Sequence, residues 1–342
     1  MTLIRRFLSR YGTLLWIFFV VGFSALFLLR ERGEIGRIAL MLREAQLEWL
    51  IGILLLEALI LSLVALTYQV LLRRLGHDLA WLPLVGIHLR RVVIGTVTPI
   101  GGPSSMYVFV RSLTQRGVPG ADALLAISLK SVAGNLAFML LLIPVLLVQP
   151  PTTMLLLGAL ALTFFVAVMI GALIVLLRRA SPPGWLTSRL PRRALRFVVQ
   201  ARAHRVAGSA LAQPFVYLLA TKIAGVVMLY VALQAVGQNV APTVPLIAYV
   251  VGMIFLLVAP VFQGIGFVEV SMALALERLG VPAPAAIGAT LLVRFGELWL
   301  PLAMGLLLQA ATSLHLPTRD IPRPVPVLVP VPVAARRRPR SS

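Results

Sequence analysis

Cysteine is absent from all 342 residues, which excludes disulfides, thiolate metal sites, iron–sulfur clusters and thiol nucleophiles together. Acidic residues are scarce: 11 Asp and Glu stand against 31 Lys and Arg, for a formal net charge of +20. Charge of either sign is thin at 12% of residues, where soluble domains carry about a quarter, so an ordinary soluble enzyme is excluded. The four histidines (His77, His88, His204 and His315) are scattered and no HExxH helix occurs, so no metal site is expected. Neither a GxxxxGK[ST] nor a GxGxxG loop is present, which argues against ATP-driven transport within this chain. No Ser/His/Asp set or carboxylate pair for hydrolysis stands out. The chain is therefore expected to be no enzyme and to need no cofactor.

What remains is oil. Apolar residues make up 60% of the chain and mean hydropathy is +0.98. That is too apolar for a nucleic-acid binder, whatever the basic excess suggests. Runs near the ~20 residues that cross a ~30 Å hydrocarbon layer recur along the chain. The expected fold class is all-α, a polytopic membrane helical bundle.

The first run, Leu14 to Leu29, follows Arg5, Arg6 and Arg10 and has no small-residue cleavage site after it, so it reads as a retained span. A connector of mixed sign, Arg30 to Glu48, leads to a second span, Trp49 to Leu72, which ends at Arg73-Arg74. Pro83 to Pro99 is only modestly apolar. It meets the break Thr98-Pro99-Ile100-Gly101-Gly102-Pro103-Ser104-Ser105, and a short segment, Met106 to Leu113, follows. Ala121 to Val148 and Met154 to Leu177 read as spans joined by Gln149-Pro150-Pro151. Arg178 to Arg205 is a linker with eight Arg and no acid. Ala210 to Val236 spans again. Val244 to Val261 and Phe267 to Leu279 then flank a second break, Pro260-Val261-Phe262-Gln263-Gly264-Ile265-Gly266. Ala285 to Thr312 is the last span, and a Pro- and Arg-rich tail begins at Pro317. Its prolines favour extended, disordered chain, and its closing arginines suit anionic headgroups.

Gly117-Val118-Pro119 returns as Gly280-Val281-Pro282, 163 positions on. At that offset Gly101 falls on Gly264, Leu113 on Leu276, Ala123 on Ala286, Ala126 on Ala289 and Leu129 on Leu292. The order span, half-segment, break, half-segment, turn, long span thus occurs twice, over about 49–148 and about 210–312. Lys and Arg concentrate in loops on the cytoplasmic side. With both termini cytoplasmic and each broken pair a re-entrant hairpin, every heavily basic segment falls on one face. The uncharged connectors at Gln149 to Thr153 and Gly237 to Thr243 fall on the other. The two repeats are then inverted, a transporter signature with its binding site near the midplane. Full crossings by every half-segment would instead give ten spans. The polarity of Pro83 to Pro99 and the shortness of Met106 to Leu113 favour hairpins.

Charges at membrane depth mark the expected site. Glu57, Lys130, Lys222, Glu269, Arg294 and Glu297 lie inside apolar segments, and Arg90, Arg91 and Arg111 border the first hairpin. Arg294 and Glu297, three apart, share a helix face and are spaced to pair. Such charges also serve simply to pin helices together. Gln263 and Ser104-Ser105, at the two breaks, are placed either to bond a headgroup or to cap loose backbone. Arg73 and Arg116 are expected to snorkel to the headgroups. Counting core and rim, three acids stand against six cations. A net-positive cavity is the expectation, suited to an anionic group such as a lipid phosphate.

Gln263-Gly264-Ile265-Gly266-Phe267-Val268-Glu269, then Gly280-Val281-Pro282, Leu291-Leu292-Val293-Arg294-Phe295 and Leu298-Trp299-Leu300-Pro301 with Gly305, resemble a known family. It is the lysylphosphatidylglycerol synthase transmembrane region, a group of flippase-like membrane proteins. In the first repeat, Thr98 to Gly102, Arg111 and Gly117-Val118-Pro119 match its layout. The resemblance implies translocation of an anionic or aminoacylated phospholipid, or a related lipid, across the cytoplasmic membrane, with Glu269 and Arg294 as the acid and base of the second-repeat pattern. The first repeat departs from the family where Ser104-Ser105-Met106 and Lys130 stand in place of acidic residues and acid–Arg pairs. Residues 1–316 form the expected transmembrane domain, with a cytoplasmic basic linker at 178–209 and the tail at 317–342. In the full synthases an aminoacyl-transferase domain follows; with only the tail here, no lipid aminoacylation is expected. Expected partners are membrane lipids, with a homodimer and a separate lipid-modifying enzyme as candidate protein partners. Two rival readings stand beside flipping: a secondary transporter of a small anionic solute, and a non-transporting partner that docks such an enzyme on the basic linker.

Overall fold

The computed structural model describes residues 47–98, 101–148, 153–178, 211–258 and 264–314. The expected first span, the Arg30 to Glu48 connector up to residue 46, the linker from residue 179 to 210, Gln263 and the tail lie outside the described residues. Among those described the chain is helical, with no strand.

Helix α1 (Leu47–Arg74) is followed by the short pair α2 (Trp81–Val97) and α3 (Gly101–Thr114), then by α4 (Gly120–Val148) and α5 (Thr153–Arg178). The second series is α6 (Ala212–Ala235), α7 (Thr243–Val258), α8 (Phe267–Arg278) and α9 (Ala283–Arg294). A π turn, Phe295–Trp299, carries α9 directly into α10 (Leu300–Leu314). Shifted by the sequence offset, α1 to α4 fall on α6 to α10 element by element. Among the described residues, four stretches are long and apolar enough to cross a membrane: Glu48–Arg74, Gly120–Val148, Ala212–Ala235 and Ala283–Ala311. Their outward faces are oily, with Leu55, Leu147 and Leu307 exposed. The helices α2, α3, α7 and α8 have 17, 14, 16 and 12 residues, each short of the ~20 a crossing needs.

The first break is narrower than the sequence suggests, because Gly101-Gly102-Pro103 is already the first turn of α3. A proline is tolerated there, since first-turn N–H groups have no intrahelical partner to lose. The turn before each long helix is built alike. Gly117 and Gly280 hold φ of 84° and 91°, the left-handed region that glycine enters without strain. Val118 N–H donates to Leu113 C=O and Val281 N–H to Leu276 C=O, closing the preceding helix in a Schellman turn. Pro119 and Pro282 then start the next helix. At the same end of α1, His77 Nε2 donates to Asp122 Oδ2 at 2.8 Å and ties that helix to the first turn of α4.

Helices α1 and α6 share the largest interface, so the first helices of the two series meet along their length. The short helices pair as α2 with α3 and α7 with α8, and each long fourth helix reaches the other series: α10 packs on α2, and α4 on α7. One apolar cluster gathers around Tyr68, Leu84, Phe109, Leu125 and Leu129 from the first series. Another gathers around Met228, Tyr249, Met272, Ala289 and Val293 from the second.

The α10–α2 contact depends on Gly305. A methyl group there would come within 2.8 Å of the Leu89 carbonyl oxygen and 2.6 Å of Val93 Cγ2. Because the first obstacle is backbone, it cannot swing aside. Gly305→Val is expected to lower stability by about 1–3 kcal/mol, read as a fall in apparent Tm of the detergent-solubilised protein. Gly171→Ala, with nothing within 4 Å of the added carbon, is the control expected to leave Tm unchanged or slightly raised.

Candidate functional site

Both series contribute to one cavity of about 450 Å³, its lining largely apolar with charged and polar groups set into it. Ligand sites run from about 300 to 1,000 Å³, so this is no packing defect. From α1 it receives Glu57, Ile60, Leu61 and Val64, spaced i, i+3, i+4 and i+7 on a single helix face. From α4 come Lys130, Ser131, Gly134 and Asn135, a polar stripe within an apolar helix. Helix α6 brings Lys222 and Thr221, α2 brings His88, and α7 brings Tyr249. Arg294, Glu297 and Pro301 enter from the α9–π–α10 rod, again along one face. Glu57, Lys130 and Lys222 lie well inside their helices, and Arg294 and Glu297 lie well inside the continuous rod from Ala283 to Leu314.

The π turn has an identifiable cause. Pro301 has no N–H to give the Glu297 carbonyl four residues back, so the regular ladder fails there. Leu300 N–H instead donates to Phe295 C=O, five residues back. The widened turn carries Glu297, whose Oε1 accepts from Tyr249 Oη at 3.2 Å. Gly296 lets the turn close on its neighbours, since a methyl group there would be 2.9 Å from Met228 Sδ and 3.0 Å from Ile53 Cγ2.

Beside the cavity, Arg294 Nε donates to Glu269 Oε1 at 2.7 Å. The two side chains are 5% and 19% exposed. Oε2 of the same carboxylate accepts from Gly266 N–H at 2.7 Å, capping α8. Gly266 and Gly264, at φ of 86° and 71°, hold the second break in a form that side chains resist. Glu269 therefore binds that break to the rod that lines the cavity.

Lys130, which lines the cavity, has its Nζ 5.2 Å from the centre of the Tyr68 ring, and Arg91 Nη1 donates to Tyr68 Oη at 3.1 Å. Tyr68 is buried against Phe109, so it is a fixed post between two cations. Two buried atoms in the cavity-lining residues have no hydrogen-bond partner: Glu57 Oε2 and His88 Nδ1.

Of the residues expected from the sequence, Glu57, Lys130, Lys222, Arg294 and Glu297 line the cavity, and Glu269 meets it through Arg294. Arg91 adjoins through Tyr68. Arg90 is half-buried on α2 and does not line the cavity, and Arg111 is exposed in the last turn of α3. Gln263 lies outside the described residues. The charged lining is thus Lys130, Lys222 and Arg294 against Glu57 and Glu297, and Glu269 balances Arg294. The structure places in the cavity fewer cations than the sequence count did.

Tyr249, His88, Asn135, Thr221 and Tyr68 were not among the expected residues. For Asn135 a signal existed, because Lys130, Ser131, Gly134 and Asn135 follow the helical period. For Tyr249 and Tyr68 there was none, as a lone tyrosine in an apolar run resembles any core aromatic.

The family model described as lysylphosphatidylglycerol synthase TM region matches residues 11–305. No curated protein matches the chain.

Proposed function

The chain belongs to the lysylphosphatidylglycerol synthase TM region family, and from that membership we propose that it translocates a phospholipid across the cytoplasmic membrane, the headgroup passing through the charged cavity. The family name and the four long apolar helices make this a membrane protein with a lipid-related role. The carrying observation is the cavity itself: a largely apolar space of about 450 Å³ into which Glu57, Lys130, Lys222, Arg294 and Glu297 are set, in the middle of membrane-length helices. Buried charge at that depth is costly, and it is retained where it does something. In this reading the pairs α2–α3 and α7–α8 are re-entrant hairpins entering from opposite faces. The two series are inverted repeats, and both termini are cytoplasmic. The matching element bounds and the shortness of the four hairpin helices support it. The protein acts as a transporter and not as an enzyme.

The test is headgroup exposure in proteoliposomes, using acyl-chain-fluorescent phospholipids quenched by dithionite from outside. Protein-containing vesicles are expected to lose the inner-leaflet half of the signal faster than empty ones, and Lys130→Gln to slow that loss about tenfold or more. Lys130 makes no ion pair among the described residues, so its loss strands no partner. A rate equal to that of empty vesicles would overturn the proposal.

A further inference from the structure

The cavity's charges are sorted by sign. Lys130 and Lys222 stand on packed helices, α4 and α6, where a methyl group on Gly134 would be 3.7 Å from Leu218 Cδ1, each one turn along its helix from the lysine. Glu57 is one turn along α1 from Ile53, which meets Gly296 beside Glu297, and Tyr249 holds Glu297 in place. Lys222 and Glu297 are the pair across the boundary. Arg294 has Glu269 against it and also lies within electrostatic range of Glu297. Two like-charged pairs in a site poor in water repel, and each is relieved by a ligand charge of the opposite sign. Glu57 Oε2, on a residue only 2% exposed and without a hydrogen-bond partner, is a built acceptor waiting for a donor.

We propose that the cavity binds a zwitterionic headgroup with one phosphate and one primary ammonium, the phosphate between Lys130 and Lys222 and the ammonium against Glu57 and Glu297. A primary ammonium fits better than a quaternary one. It offers three N–H donors to carboxylate oxygens, whereas a quaternary nitrogen has none and is held by several aromatic faces. Tyr249 is the one aromatic bonded to this pole. A headgroup with phosphate alone would leave Glu57 Oε2 still without a donor. The inference rests on the lipid-transport reading, but its binding half stands without transport.

Two measurements test it. In the vesicle assay, tail-labelled phosphatidylethanolamine is expected to cross about tenfold faster than phosphatidylcholine or phosphatidylglycerol. Glu57→Gln should erase that preference, while Lys130→Gln should slow all three. Acceleration of phosphatidylglycerol equal to or above that of phosphatidylethanolamine would overturn the headgroup assignment and leave transport intact. If no lipid crosses faster than in empty vesicles, the transport reading falls and the second measurement decides the headgroup. There, short-chain lipids are added to the full-length protein in detergent and the apparent Tm is followed. Phosphatidylethanolamine is expected to raise it more than the other two, and a larger shift with phosphatidylglycerol or with phosphatidylcholine would overturn the assignment. Free phosphoethanolamine is the last arm. A shift as large as that of the lipid, at equal concentration, would assign the site to a soluble zwitterion and overturn the lipid source.

Discussion

Arg294→Ala is expected to lower stability by about 3 kcal/mol, near the bottom of the range for breaking a buried ion pair because Glu269 retains 19% exposure. The loss has two parts. The Glu269 carboxylate keeps the Gly266 N–H but loses its 2.7 Å partner, which strands a charge in a poorly solvated place. The second break, held at Gly264 and Gly266, then loses its tie to the cavity rod. Glu269→Ala should cost a similar amount by stranding Arg294 and removing the α8 cap. The informative variant is the double one. Removing both partners leaves neither member of the Glu269–Arg294 bridge stranded, so the double mutant should be far more stable than the sum of the single losses predicts, with a coupling of about 1.5–3 kcal/mol. Apparent Tm in detergent for the wild type and three variants closes the cycle. Additive losses would mean that Arg294 and Glu269 are not an energetic unit and that the break is held by other contacts.

Glu57→Leu should do the reverse, stabilising the fold while removing its function. Glu57 is 2% exposed, its Oε2 has no hydrogen-bond partner, and it lies within range of the like charge on Glu297. A buried acceptor left unmade costs about 1–3 kcal/mol, and leucine replaces it with a group of similar size that needs no partner. The expected result is a rise in apparent Tm of a few degrees with lipid exposure reduced toward that of empty vesicles. Such opposed effects are the mark of a residue kept for function at the expense of stability. A fall in Tm would show that the carboxylate is already satisfied in the free protein and would remove the argument that it waits for a ligand.

Much of the architecture is legible in the chain because hydrocarbon leaves the backbone few choices. With no water to serve N–H and C=O groups, long apolar runs must be helices. The spans read at Trp49, Ala121, Ala210 and Ala285 accordingly become α1, α4, α6 and the α9–α10 rod within a few residues. The two Gly-Val-Pro turns follow from local chemistry, glycine for the left-handed residue and proline for the next helix start. The first break was drawn too wide, since the first turn of a helix accepts Gly101-Gly102-Pro103 without loss. The π turn was not foreseen, although Pro301 four residues after Glu297 carries its cause.

The candidate site was legible only as a set of misplaced charges. Their presence in apolar runs is a one-dimensional fact, and it rightly picked out Glu57, Lys130, Lys222, Arg294 and Glu297 as residues the fold gathers. How those charges meet is a three-dimensional matter. Spacing offered Glu297 to Arg294, whereas the packing of α8 on α9 brings Glu269, 25 residues back in the chain, to its guanidinium. Arg91 and Arg111 flank the same break in sequence, yet one reaches Tyr68 and the other is exposed. The sequence by itself determined the helices, their order and the charges inside them, since local hydrogen bonding and hydropathy decide these. Only the tertiary structure decided which charges pair, that charges of both signs line one cavity, and that Glu57 Oε2 is left without a partner. Those outcomes depend on helix faces meeting across the bundle, and no local rule encodes that meeting.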